Sequence, residues 1–138
     1  VFMNLLTIYL DFDGTVVEHA YPELGALNPR SFAVIRQLQN AGHRIILNTY
    51  RADLADGSLQ AALNFLNDIN NELLPITECT ELKIQPPAWN WKKTLEEGIL
   101  YIDDVCDGTP MIPNSALPFG LMVDWKTLEE WFTDQGVI

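Results

Sequence analysis

Apolar residues come along this chain in short blocks that end on polar side chains. Residues 5–10 are a continuous apolar run interrupted only by Thr7 and stopped by Asp11, the pattern of a strand buried on both faces. Asn28-Pro29 predicts a helix start, with Asn28 as N-cap and Pro29 in the first helical position. Phe32, Ile35 and Leu38 follow at helical spacing, and Gly42 closes the helix. Residues 44–48 read as a second buried strand. Leu59, Ala62, Leu63, Leu66 and Ile69 mark a second amphipathic helix, and residues 76–79 a short strand. A short helix is expected over Trp91–Glu97, closed by Gly98, and then a strand over Ile99–Ile102 that ends on two aspartates. A last strand is expected at Leu121–Val123, after which Asp124 caps a helix carrying Trp125, Leu128 and Phe132. The proline-containing stretches at 85–87 and 110–118 read as loops.

Strands that alternate with helices of this length imply parallel crossovers, and so a doubly wound α/β fold with a central parallel sheet flanked by helices. There is no repeat, low-complexity tract or linker, so residues 1–138 read as a single domain. In such sheets ligands bind beyond the carboxyl ends of the strands. The notable polar residues sit there: Asp11 and Asp13 after the first strand, Asn48 and Thr49 after the second, Asp103 and Asp104 after a later one.

Composition narrows the function classes. With 48% apolar and 20% charged residues, the chain is balanced like a soluble globular protein. The run at 5–10 is too short to span a bilayer, so the expectation is a cytoplasmic protein without a membrane partner. The residues before Met3 have no clear reading. A net charge of −11, from 19 acids against 8 bases, leaves no basic stripe for a nucleic-acid backbone. Cys79 and Cys106 have no metal-binding spacing and read as reduced thiols.

Four carboxylates at one sheet edge repel each other, which raises their pKa values unless a cation intervenes. Magnesium resolves the conflict well, because it takes oxygen ligands and commonly combines one or two carboxylates with waters and a substrate phosphate. An EF-hand reading of the segment from Asp11 fails, because its sixth and twelfth positions are Val16 and Pro22.

The segment Asp11-Phe12-Asp13-Gly14-Thr15 after a buried strand resembles the first motif of the haloacid dehalogenase-like (HAD-like) superfamily of phosphatases and phosphotransferases. Ile45-Ile46-Leu47-Asn48-Thr49 looks like the second motif, and Ile99-Leu100-Tyr101-Ile102-Asp103-Asp104 like the fourth. The resemblance implies a three-layer Rossmann-like fold and a magnesium-dependent phosphatase. In that reading Asp11 attacks phosphorus to form an aspartyl-phosphate. Asp13 serves as general acid and then base, and its backbone carbonyl ligates the metal. Gly14 leaves room for substrate, while Thr49, Asn48 and nearby backbone N–H groups hold phosphate oxygens. Asp104 ligates magnesium, with Asp103 beside it or acting through water. The third motif is a lysine. Lys92 and Lys93 precede the fourth-motif strand and are preferred, Lys93 as the catalytic cation and Lys92 as a phosphate ligand, with Lys83 the other candidate.

The gaps at 14–48 and 50–101 are too short for the cap domain many members carry, so the resemblance implies a small capless member. Its open site admits a phosphorylated macromolecule as well as a small phosphate ester, unless a homo-oligomer covers it. The loop at 20–28 is the expected flap. Asp107 is expected beside the site, Arg51 either at the substrate or paired with Asp53, and Trp89 and Trp91 in packing or in a pocket wall. The rival readings are a non-enzymatic phospho-acceptor switch, like a receiver domain, and a binding module that keeps the fold without activity. A receiver would carry its paired acids on the first strand and its acceptor on a middle one; here Asn48-Thr49 ends the second strand.

Overall fold

The computed structural model describes residues 5–114 and 120–138. The sequence elements run in the order β1 (Thr7–Leu10), α1 (Ser31–Asn40), β2 (Arg44–Leu47), α2 (Arg51–Leu54), α3 (Ser58–Leu66), α4 (Trp91–Glu97), β3 (Ile99–Ile102), β4 (Met111–Pro113), β5 (Leu121–Val123) and α5 (Trp125–Asp134). Three strands form a parallel sheet in the order β2-β1-β3, in which Leu10 lies level with Leu47 and Ile102. The strands that end on Asp11, Asn48 and Asp103 are therefore neighbours with their carboxyl ends aligned. The mixed α/β architecture and the parallel sheet agree with the expectation from the alternating pattern.

Most of the sheet's core side chains lie on one face. Ile8, Leu10, Leu47, Leu100 and Ile102 point to one face and join the buried residues of α1, α3 and α5 in a single core. Period-two alternation sends Thr7, Tyr9, Ile46, Ile99 and Tyr101 to the other face, where Ile46 is buried. None of these joins the core; Tyr9 and Tyr101 stack on each other with ring centroids 5.1 Å apart, and Ile99 is 37% exposed. Among the described residues, α4 has no buried side chain. Its Trp91 packs against Phe132 of α5, which belongs to the core.

Several boundaries differ from expectation. Helix α1 starts at Ser31 after Arg30 in the left-handed region, so Asn28 is not its N-cap. Asn28 is fully buried, and its side-chain amide donates to the carbonyls of Thr15 (2.8 Å) and Val123 (2.7 Å). Helix α3 ends at Leu66, which leaves Ile69 95% exposed. Residues 76–79 add only one bridge, Cys79 to Leu47, along the outer edge of β2. The 110–118 stretch is not all loop: Met111–Pro113 is strand β4, and residues 115–118 lie outside the described set. Strand β5 pairs antiparallel with β4 rather than joining the parallel sheet. The residues before Met3 also lie outside the described set. Asp124 does cap helix α5, its carboxylate accepting from the Thr127 hydroxyl at 2.7 Å, and α4 closes on Gly98 at φ 73°.

His43 follows the α1 turn and is buried. Its Nδ1 accepts from the Leu6 N–H at 2.9 Å, so its proton is on Nε2, which donates to the Val137 carbonyl at 2.7 Å. This ring ties the first strand to the C-terminal segment, a structural role with no metal. His43→Ala orphans two buried backbone groups. It is expected to cost about 2–4 kcal/mol, read as a lower urea midpoint at unchanged slope. A shift within 0.5 kcal/mol of wild type, about the scatter of surface changes, would contradict that role.

Candidate active site

The buried turn after β1 carries the first acids. Asp11 continues the strand, its N–H donating to the Ile102 carbonyl at 2.9 Å. The chain then turns at Gly14, whose φ of +76° suits glycine. A Cβ there would lie 2.1 Å from His19 Nε2 and 2.6 Å from Asp104 Oδ2, so the glycine also keeps the floor of the site open. The Thr15 hydroxyl donates to Asp11 Oδ2 at 3.0 Å.

Lys83, and not Lys92 or Lys93, reaches the acids. Its Nζ lies 3.0 Å from Asp11 Oδ1 and 2.6 Å from Asp103 Oδ2, with the side chain 1% exposed. Lys92 and Lys93 lie exposed on α4, and neither lines the cleft around Asp11. Lys83 sits in an irregular loop that Asn48 holds in place. The Asn48 carboxamide oxygen accepts from Ile84 N–H (2.8 Å) and the Thr80 hydroxyl (3.1 Å), and its nitrogen donates to the Ile84 carbonyl (2.9 Å). Asn48, expected at phosphate, is instead spent on positioning the lysine loop. Asp53 adds a further tie by accepting from Lys83 N–H at 2.7 Å.

Asp13 is also engaged differently from expectation. Arg51 grips it with two nearly parallel hydrogen bonds, Nε to Oδ2 at 2.8 Å and Nη2 to Oδ1 at 2.7 Å. The same guanidinium donates to the flap carbonyls of Pro22 (3.3 Å) and Glu23 (2.8 Å) and to that of Ser58 (3.2 Å). Arg51 is 1% exposed and pairs with Asp13 rather than Asp53. Thr49 is buried in the cleft wall, its hydroxyl oxygen accepting from Arg51 N–H at 3.2 Å. Asp107 is exposed and serves through its backbone carbonyl, which accepts from Trp89 N–H at 2.9 Å. Trp89 and Trp91 pack with Phe132, away from the acids.

Asp11, Asp103 and Asp104 present carboxylate oxygens all within 4.8 Å of one another. Burial first, and then repulsion from Asp103, raise the Asp11 pKa well above the usual carboxylate value despite Lys83. Burial likewise raises Asp103 against the pull of Lys83. Burial opposes the Asp104 carboxylate too, but the hydrogen bond from His19 and another shared with Asp11 outweigh it, and its pKa falls. His19 Nε2 lies 2.7 Å from Asp104 Oδ2, and that contact raises the His19 pKa. Sequence reasoning missed His19 and undervalued Arg51. His19 sits eight residues past Asp11, on a flap whose Glu18 N–H bonds Ala26 O at 2.8 Å and folds it back over the turn.

Four carboxylates here face two fixed cations, Lys83 and Arg51. The residual negative charge and an all-oxygen donor set fit a hard divalent cation such as magnesium. The fitting ligands are Asp11, Asp103 and Asp104; the Asp13 side chain is committed to Arg51. Together the groups line a cleft of about 320 Å³.

No protein-family model matches the chain, and no curated protein matches it. A solved structure of a conserved protein coded by a locus from Bacteroides thetaiotaomicron is similar to it. That chain is 24% identical, with a TM-score of 0.61 over 96% of this chain and 93% of the other. At this identity the likeness concerns the fold. Among the described residues, no helix is long and apolar enough to cross a membrane.

Proposed function

We propose that this protein is a phosphatase of the HAD-like kind that hydrolyses phosphate monoesters through an aspartyl-phosphate on Asp11. The observation that carries the reading is the buried Lys83 bridging Asp11 and Asp103, beside Asp104, at the aligned carboxyl ends of neighbouring parallel strands. A lysine fixed between two acids is an expensive arrangement for stability alone, because both charges lose water. It suits a site where negative charge must be received.

The chain's own groups divide the work. Asp11 is aligned for attack by Thr15 on one oxygen and Lys83 on the other. Its attack forms the new O–P bond as the ester oxygen leaves, and hydrolysis of the acyl phosphate then restores the carboxylate. Lys83 and the Thr49 hydroxyl offset charge on the phosphoryl oxygens. Asp13 faces the same cleft and is the nearest candidate to move a proton to the leaving oxygen and from water, once Arg51 yields one of its two bonds. Asp11, Asp103 and Asp104 would hold a magnesium ion, which when bound supplies charge neutralisation to the transferring phosphoryl group.

The test is release of inorganic phosphate from 4-nitrophenyl phosphate with magnesium and with excess chelator. Turnover that needs the metal is expected. Metal-independent turnover would remove the metal from the reading. Absence of turnover together with a lasting mass increase on Asp11 would replace hydrolysis with a phospho-acceptor switch.

A further inference from the structure

The mouth of the cleft is more apolar than a phosphate site requires. Tyr21, Tyr50, Leu54 and Val105 line it and are 44%, 48%, 50% and 57% exposed. They come from three separate stretches of chain: the flap, the segment after β2 and the segment after β3. Local sequence does not make them neighbours; the fold does. A patch of exposed apolar side chains assembled around a polar centre marks a ligand surface.

The charges limit what that ligand carries. Each basic side chain at the cleft is already bonded: Lys83 to Asp11 and Asp103, Arg51 to Asp13, and His19 to Asp104. A second phosphate or carboxylate on the substrate would meet no free basic side chain there among the described residues, inside a chain of net charge −11. The volume of about 320 Å³ is at the small end for organic ligands. The two tyrosine rings favour a flat partner over a branched one.

From this we infer that the substrate is a monophosphate of a small, uncharged, flat apolar alcohol, an aryl phosphate in the simplest case. The inference rests on the phosphatase reading of the same site and names its substrate class. The phosphate would sit toward Asp11 and Lys83, and the apolar group against Tyr21, Leu54 and Val105.

Phosphonates test the ligand class without a leaving group to confuse it. Binding of phenylphosphonate, methylphosphonate and 3-phosphonopropionate to the magnesium-loaded protein is measured by calorimetry. Phenylphosphonate is expected to bind about tenfold or more tighter than methylphosphonate, the scale set by transferring a ring onto apolar surface. The added carboxylate of 3-phosphonopropionate is expected to weaken binding. Leu54→Ser removes apolar surface without removing a charge, and is expected to narrow the phenyl preference about threefold to fivefold. Tyr50 is the poorer probe, because Lys83 Nζ lies 5.1 Å over its ring. Equal affinities for phenyl and methyl probes would overturn the proposal, as would tighter binding of the doubly anionic probe. Magnesium-dependent turnover of phenyl phosphate is measured separately. A retained phenyl preference without turnover upholds the ligand class and ends the phosphatase reading. Turnover without the preference does the reverse.

Discussion

If Asp11 is the nucleophile proposed above, Asp11→Asn is expected to abolish phosphate release, and it is expected to raise the melting temperature of the metal-free protein. The first effect follows from replacing the proposed nucleophile, since a neutral amide oxygen attacks phosphorus poorly and cannot form the acyl phosphate; the expected loss is on the order of 10⁴-fold or more. The second follows from the electrostatics. Burial and the Asp103 charge hold the Asp11 pKa well above its unfolded value, so the native state carries its carboxylate at a cost. The sign is fixed by linkage: the folded state binds the extra proton, so stability falls as pH climbs from the unfolded value through the raised one. Asparagine never ionises and escapes that fall. Lys83 keeps Asp103 as partner at 2.6 Å. The gain in melting temperature should therefore appear at neutral pH and vanish in acid. Thermal scans across pH in chelator check it; a variant less stable than wild type at neutral pH would show that the Lys83 contact outweighs burial.

Lys83→Met is expected to have the opposite effect on stability and, in the proposed mechanism, a similar effect on turnover. The methionine keeps most of the apolar stem but leaves Asp11 and Asp103 buried with no cation between them. Removing one partner of a buried pair costs about 3–5 kcal/mol. Loss of a charge-stabilising group costs about 10²–10³-fold in rate. Both acids already have raised pKa values, so acid protonates them and relieves the penalty. Urea midpoints should converge with wild type as pH falls. The two variants together separate the roles: both are expected to silence the proposed turnover, while one tightens the fold and the other loosens it. Lys93→Met serves as the control, since that side chain is exposed on α4.

The parts of this structure that repeat were readable in the sequence. The three parallel strands announced themselves as apolar blocks ending in polar residues, and Asp11, Thr49, Asp103 and Asp104 fell at the predicted edge. The lysine was not readable in the same way. Lys83 sits in a loop without periodicity, and its position is set by Asn48, thirty-odd residues upstream, through three hydrogen bonds to Thr80 and Ile84. Lys92 and Lys93 looked better placed because they are close to β3 along the chain, which counts for little against a folded loop. Asn28-Pro29 matched a helix cap in type, yet buried hydrogen bonding to Thr15 and Val123 claimed the asparagine first. Arg51 gave a weak signal: it lies two residues after Thr49, and nothing in its neighbours marks it for the interior. Its five donors find an acid and three carbonyls; Asp13, Pro22 and Glu23 come from distant stretches that only the fold brings together, and Ser58 lies seven residues on.

The turn that carries Asp13, Gly14 and Thr15 is fastened by residues made much later. Val123 N–H bonds the Gly14 carbonyl at 3.0 Å, and the Trp125 indole bonds the Thr15 carbonyl at 2.7 Å across 110 positions of chain. During synthesis on a ribosome, the turn after Asp11 emerges about 110 residues before the Trp125 indole that holds it. The sheet can zip as β3 appears, whereas the turn stays unsecured until α5 has left the exit tunnel. A nascent chain therefore presents its acids long before the turn beneath them is secured, in one late step that closes a loop spanning 110 positions.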